Sequence, residues 1–146
     1  MRILAQNPIR IAMAGVVYFT LVFGAGFILG SIRVPFLVPR LGERIAELIE
    51  MPFMFVVVLF SARFIIRRFA LPTATSVRLG VGLVALGLLL TAELFLAVAL
   101  QSRSLGEYIA SRDRVSGSVY LAMLVLFSVM PLILARAQLA REPRAA

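Results

Sequence analysis

The sequence predicts an all-α, polytopic membrane protein: a single domain over residues 1–146 with four transmembrane helices. Hydrophobic residues make up 62% of the chain, against roughly 45–50% in soluble proteins. Four apolar stretches approach or exceed the roughly 20 residues that a hydrocarbon core of about 30 Å requires. All 15 basic residues are arginines, and most of them flank those stretches. The composition therefore excludes both a soluble domain and a disordered chain.

The four predicted spans differ in their charges. Residues 11–32 carry none and are bracketed by Arg10 and Arg33. Residues 51–66 contain Arg63, whose long stem allows the guanidinium to reach the interface. Residues 79–100 contain Glu93, and residues 119–135 are uncharged. A cleaved signal peptide is the alternative for the first span, but its apolar run exceeds the roughly 7–15 residues of a signal core.

Arginine distribution predicts the orientation, because cytoplasmic flanks are enriched in basic residues. Nine arginines fall on one side and six on the other, and five acids accompany the six. We therefore expect a multi-pass protein of the bacterial inner membrane with both termini in the cytoplasm. The larger group is Arg2, Arg10, Arg63, Arg67, Arg68, Arg78, Arg136, Arg141 and Arg144; the smaller is Arg33, Arg40, Arg44, Arg103, Arg112 and Arg114.

The formal charge of +8 does not indicate a nucleic-acid partner, because the arginines flank apolar spans and have no aromatic residues interleaved for stacking. Membrane lipids are the expected partners of the cytoplasmic set. Five of these arginines are predicted to contact lipid head groups: Arg63, Arg67, Arg68, Arg78 and Arg136.

Two similar segments suggest an internal duplication. Leu-Gly-Glu-Arg-Ile-Ala at 41–46 resembles Leu-Gly-Glu-Tyr-Ile-Ala at 105–110. Two tandem helical-hairpin repeats, 10–68 and 78–136, would then be related by an axis along the membrane normal. The alternative is chance similarity between leucine- and glycine-rich segments. Residues 41–50 form an amphipathic pattern that predicts a helix lying in the interface, preceded by extended chain at Pro35 and Pro39. Pro52 is expected in the first turn of span two.

An acid inside a span is by default a functional hypothesis, and its partner should be named. For Glu93 that partner is expected to be Arg33, or secondly Arg112. Glu50 lies at a similar depth, so the sequence predicts an outer-leaflet polar cluster of Arg33, Glu50, Glu93 and Arg112. The alternative is a structural ion pair, or a protonated Glu93 bonded to a carbonyl.

Glycines four residues apart suggest close helix packing, since a missing side chain lets backbones approach. Gly26 and Gly30 form such a motif, and Gly80 and Gly82 follow the same logic in span three. No catalytic residue, cofactor or metal site is predicted, because the chain has neither histidine nor cysteine and no phosphate-binding glycine loop.

The stretch GFILGSIRVPFLVPRLGERIAELIEMPFMFVVVLFSARF (26–64), continued by SRDRVSG (111–117), resembles a group of small, uncharacterised four-helix proteins of bacterial inner membranes. The resemblance implies fold and location but supplies no chemistry. The spacing of Arg44, Glu47, Glu50 and Pro52 is loosely similar to the second-helix motif of the membrane-associated eicosanoid and glutathione enzymes. Glu47 stands where that family has asparagine, and the proline is displaced by one residue.

Three functions remain open on the sequence. The leading hypothesis is a non-enzymatic accessory, assembly or structural membrane subunit, partnered by other membrane subunits or by itself. The first alternative is a small proton- or ion-coupled transporter that uses Glu93. The second is a glutathione- or lipid-dependent membrane enzyme at the outer interface.

Overall fold

A computed structural model describes residues 7–101 and 114–142 and confirms the all-α, four-helix class. The long helices are α1 (Pro8–Ile32), α3 (Glu43–Arg68), α4 (Thr75–Gln101) and α5 (Arg114–Arg141). The short α2 (Val38–Leu41) lies between α1 and α3. Each long helix is apolar and long enough to cross a membrane. The four predicted spans therefore correspond to the four long helices of a multi-pass membrane protein.

The helix of span one continues well beyond its predicted end. A π-helical segment, Arg33–Leu37, joins α1 directly to α2, and the Val38 N–H donates to the Arg33 carbonyl. The expectation that Pro35 and Pro39 keep this stretch extended is wrong. Within an α-helix the Pro35 ring would press on the Ser31 carbonyl, and the wider π-helical turn accommodates it.

The prediction of a separate interfacial helix at residues 41–50 is also wrong. Gly42 adopts a φ of +84°, which ends α2, and its carbonyl then accepts the Ala46 N–H in the first turn of α3. Residues 43–50 thus form the first two turns of the same helix that crosses the membrane. Pro52 lies inside α3 rather than in its first turn, so the carbonyl of Leu48 lacks its usual helical donor.

The helices form a ring in which α1 packs against α3 and α4, and α5 packs against the same two helices. Within the described residues, α1 and α5 lie diagonally across this ring, and so do α3 and α4. A two-fold axis along the membrane normal would exchange α1 with α4 and would place them diagonally across the ring. Because α1 and α4 are neighbours, the predicted two-fold relation between the hairpins is wrong. The hairpins lie side by side, and the duplication of 10–68 and 78–136 stays a prediction.

The close-packed core occupies one half of the bundle. It joins the N-terminal half of α1 and the C-terminal half of α3 to the N-terminal half of α4 and the C-terminal half of α5. Glycines allow this density: a Cβ on Gly82 would collide with the backbone carbonyl of Ser128, and one on Gly15 would lie 2.6 Å from the Val84 Cγ1. The close approach expected at Gly82 is confirmed. The opposite half of the bundle holds the candidate site.

Candidate functional site: a carboxyl-lined cavity

A cavity of about 750 Å³ opens in the half of the bundle opposite the core. All four long helices contribute to it: α1 with its C-terminal half, α3 and α5 with their N-terminal halves, and α4 near its C-terminal end. Its rim includes the exposed residues Ser31 and Glu43, whereas Val22, Val58 and Phe127 at its base are buried. The cavity therefore runs from one end of the bundle towards its centre.

An ion pair joins α3 to the segment that follows α1 on the cavity wall. The Nη1 of Arg33 donates to the Oε2 of Glu50 at 2.8 Å, and the two side chains are 23% and 10% exposed. The π-helical segment begins at Arg33, so it sets the direction in which this guanidinium leaves the backbone. Such a partly buried pair fixes the relative position of two helices more than it adds stability.

Glu93 lines the same cavity from α4, but Arg33 is not its ion-pair partner in the described residues. The expected pairing of Glu93 with Arg33 is therefore wrong. The hydroxyl of Tyr120 on α5 donates to Oε1 of Glu93 instead. Arg112, the second expected partner, lies outside the described residues, so the predicted cluster of Arg33, Glu50, Glu93 and Arg112 is described for its first three members only.

Glu47 completes the carboxyl lining, although it is not a member of the predicted cluster. Its side chain is buried, with 9% exposure, and lines the cavity between Glu43 and Glu50. No hydrogen bond or ion pair joins Glu47 to any other described residue. The spacing of the three glutamates already places them on one helix face. Assigning residues 41–50 to the interface hid the fact that this face turns inward.

The base of the cavity is closed by a contact between α1 and α5. Pro131 has no N–H, so the carbonyl of Phe127, four residues earlier, lacks its helical donor. The hydroxyl of Tyr18 fills that vacancy, donating to the Phe127 carbonyl at 2.6 Å, and the two rings lie 4.5 Å apart between centroids. This contact is the floor between the cavity and the close-packed core.

Arg78 does not contact lipid head groups, contrary to the prediction from its position. It is 1% exposed, and its guanidinium donates to backbone carbonyls of Leu71, Pro72 and Pro131 at 2.8–3.2 Å. Its Nη2 also donates to the Gln138 side chain at 3.0 Å. These bonds tie the α3–α4 connection to α5. Arg63, Arg67, Arg68 and Arg136 are exposed, which keeps them available for head groups.

Gly26 and Gly30 do not mediate close helix packing within the bundle, contrary to expectation. A Cβ on Gly30 would meet nothing within 4 Å, and one on Gly26 would reach only the end of the Met54 side chain, at 3.5 Å. Both glycines line the cavity instead, where the absence of a side chain leaves space.

Comparison of the chain with protein-family models, curated proteins and solved structures gives no match. Among the described residues, no three acids lie close enough together to hold a metal ion. The geometry of the cavity is therefore the basis on which function is argued.

Proposed function

We propose that this protein is a small proton-coupled carrier of the bacterial inner membrane that binds its solute in the carboxyl-lined cavity. The observation that supports this best is the cavity itself, which reaches the middle of the bundle from one end and stops at Tyr18 and Phe127. Solute sites of membrane carriers lie near the bilayer midplane and open alternately to either side. A structural subunit has no need of an open cavity lined by carboxyl groups.

Glu93 is the proposed proton-exchange group. An ionisable side chain inside a span is costly and marks ion or proton pathways. Tyr120 of α5 holds the Glu93 carboxyl in place, and the cavity brings it together with Arg33 and with the three glutamates of α3. Loss of a proton from Glu93 would create a binding charge, and its return would release the solute.

The proposed orientation puts the cavity mouth on the outer side of the membrane. The arginine-rich ends, including both termini, would face the cytoplasm. Arg33 and Glu50 belong to the opposite end, where the rim lies. The floor formed by Tyr18 and Phe127 would then separate the solute from the cytoplasmic half. Transport would require this floor to open, which is the type of shift between two packed states that carriers use.

The test is solute-driven proton movement in proteoliposomes that enclose a pH-sensitive dye. A panel of methyl viologen, glucose and an aliphatic sulfonate offers a cation, a neutral compound and an anion. Wild-type protein should move protons when a gradient of one of these is imposed, and Glu93→Gln should abolish the signal. Glu142→Gln, an exposed acid at the far end of α5, is the matched control. The proposal would be refuted if no solute of the panel drove more proton movement than in empty liposomes. It would also be refuted if Glu93→Gln protein moved protons as the wild type does.

A non-enzymatic accessory or assembly subunit is the second candidate, favoured by the lack of histidine and cysteine and of any metal-holding group among the described residues. It would associate with other membrane subunits or with itself. Purification in mild detergent tests it: a stable complex whose assembly requires the chain supports this role, and a strictly monomeric, partnerless chain counts against it.

The glutathione-dependent enzyme is disfavoured by charge. Glutathione is an anion at neutral pH, and the cavity is lined by four glutamates but, among the described residues, by one arginine that Glu50 already engages. A carboxyl-rich wall repels such a substrate.

A further inference from the structure

We infer that the solute is an amphiphilic organic cation, with its charge held at Glu47 and its apolar body held at the base of the cavity. The inference rests on the proposed function in one respect, namely that the cavity is a binding site. It adds the chemical class of the occupant.

The first observation is the state of Glu47. Glu47 as a residue is about nine-tenths buried on the cavity wall, it has no hydrogen-bond or ion-pair partner among the described residues, and its carboxyl oxygens stay accessible from the cavity. Arg33, the described cation of the cavity wall, is engaged by Glu50, which lies one turn along α3 from Glu47. A carboxylate on a mostly buried residue, without a positive partner from the protein, carries a desolvation penalty. A bound cation would remove that penalty.

The second observation is the charge of the part of the wall that the structure describes. Four glutamates from two helices face the same space: Glu43, Glu47, Glu50 and Glu93. Arg33 is the one described cation among the lining residues, and Glu50 engages it. A wall with a net charge in low-dielectric surroundings concentrates counter-ions of the opposite sign. The described part of the wall, with Glu47 at its centre, therefore favours cations over neutral or anionic solutes.

The third observation concerns size and shape. A volume of about 750 Å³ falls within the range of about 300–1,000 Å³ typical of sites for drug-sized ligands. The described carboxyls do not converge on a point where a metal ion would be coordinated. They are spread along α3 and α4, so a bulky cation with diffuse charge fits them better than a small, strongly hydrated one.

The apolar base supplies the other half of the recognition. Three methionines line the cavity, Met51, Met54 and Met123, together with the rings of Phe23 and Phe127. Methionine side chains adapt to ligands of varied shape, and aromatic faces attract organic cations. Charge at the wall and soft apolar surface at the base together select an amphiphilic cation.

The experiment measures direct binding of tetraphenylphosphonium to detergent-solubilised protein by equilibrium dialysis, with tetraphenylborate as a probe of nearly the same shape and opposite charge. We expect the cation to bind at least about tenfold more tightly than the anion, as electrostatic complementarity in a buried site requires. Glu47→Gln should weaken cation binding by about tenfold or more and leave anion binding unchanged or improved.

Controls separate a charge effect from loss of structure. Glu47→Asp keeps the charge and should restore much of the cation affinity, and Glu142→Gln, outside the cavity, should bind like the wild type. If Glu47→Gln does not elute as a folded species in gel filtration, the inference is tested by the ratio of the wild-type affinities for the cation and the anion. Equal binding of the two probes, or full cation affinity in a folded Glu47→Gln protein, would overturn the inference.

The outcomes also distinguish this inference from the proposed function. Selective cation binding without proton movement in liposomes would refute the carrier and leave the cation site standing. Proton movement driven by glucose or the sulfonate, but not by methyl viologen, would support the carrier and refute the cation site.

Discussion

Replacing Gly82 with alanine should destabilise the bundle because two backbones meet at this position. A Cβ on Gly82 of α4 would collide with the carbonyl of Ser128 on α5. The obstacle is main chain, which cannot rotate away as a side chain can, so the two helices must separate. Separation also disturbs the floor contact next to Ser128, where Tyr18 meets Phe127.

The magnitude follows from comparison with Gly87 on the same helix, where a Cβ would meet nothing within 4 Å. Both substitutions gain the same helix propensity, about 0.8–1.0 kcal/mol in favour of alanine. The difference between the two variants therefore isolates the packing penalty. We expect about 1–3 kcal/mol, the range for overpacking, and a value near its upper end because backbone is the obstacle.

The assay is an SDS titration of each purified variant in detergent, followed by near-ultraviolet circular dichroism of the tyrosines. Tyr18, buried against Phe127, reports on the packed state. Gly82→Ala should unfold at lower SDS than the wild type, whereas Gly87→Ala should unfold at the same or higher SDS. Equal stability of the two variants would refute the close approach of α4 and α5.

Two further substitutions test the polar contacts of the packed half. Arg78→Met should lower the free energy of unfolding by about 3 kcal/mol, because it leaves several buried carbonyls without a donor. Arg136→Met, at an exposed position, is the control and should change this free energy little. Equal stability of the two variants would contradict the structural role of Arg78. Tyr18→Phe should lower the free energy of unfolding by about 1–2 kcal/mol, since the Phe127 carbonyl then has neither a helical nor a side-chain donor. Wild-type stability of this variant in the same SDS titration would contradict the Tyr18–Phe127 hydrogen bond.

The course of the chain near the prolines illustrates the limit of local sequence patterns. Pro35 favours extended structure in the residue before it, and from sequence that preference ends a helix. Within the bundle, a wider π-helical turn relieves the clash at Pro35 and allows the chain to continue as helix to Leu41. Gly42, with its positive φ, is what separates α2 from α3. A local widening of the helix thus accommodated the prolines and left the break to the glycine.

In the candidate site, too, some residues could be predicted from the sequence and others could not. Glu93 and Glu50 could be singled out because charges inside or beside apolar spans are rare and costly. Glu47 could not, since its burial depends on which face of α3 turns towards the other helices. Likewise Arg78 looks like a flanking arginine in sequence, and its burial depends on the free carbonyls that the α3–α4 connection and Pro131 bring to it.

Composition and the length of the apolar runs determined the number of membrane-spanning helices, because the thickness of a bilayer sets a length requirement that any single segment meets or fails by itself. Three features were decided only by the tertiary structure: the pairing of charges, the choice of Gly82 over Gly26 and Gly30 as a point of close approach, and the inward face of the three glutamates. Each of these depends on the rotation of one helix against another, and no single segment carries that information.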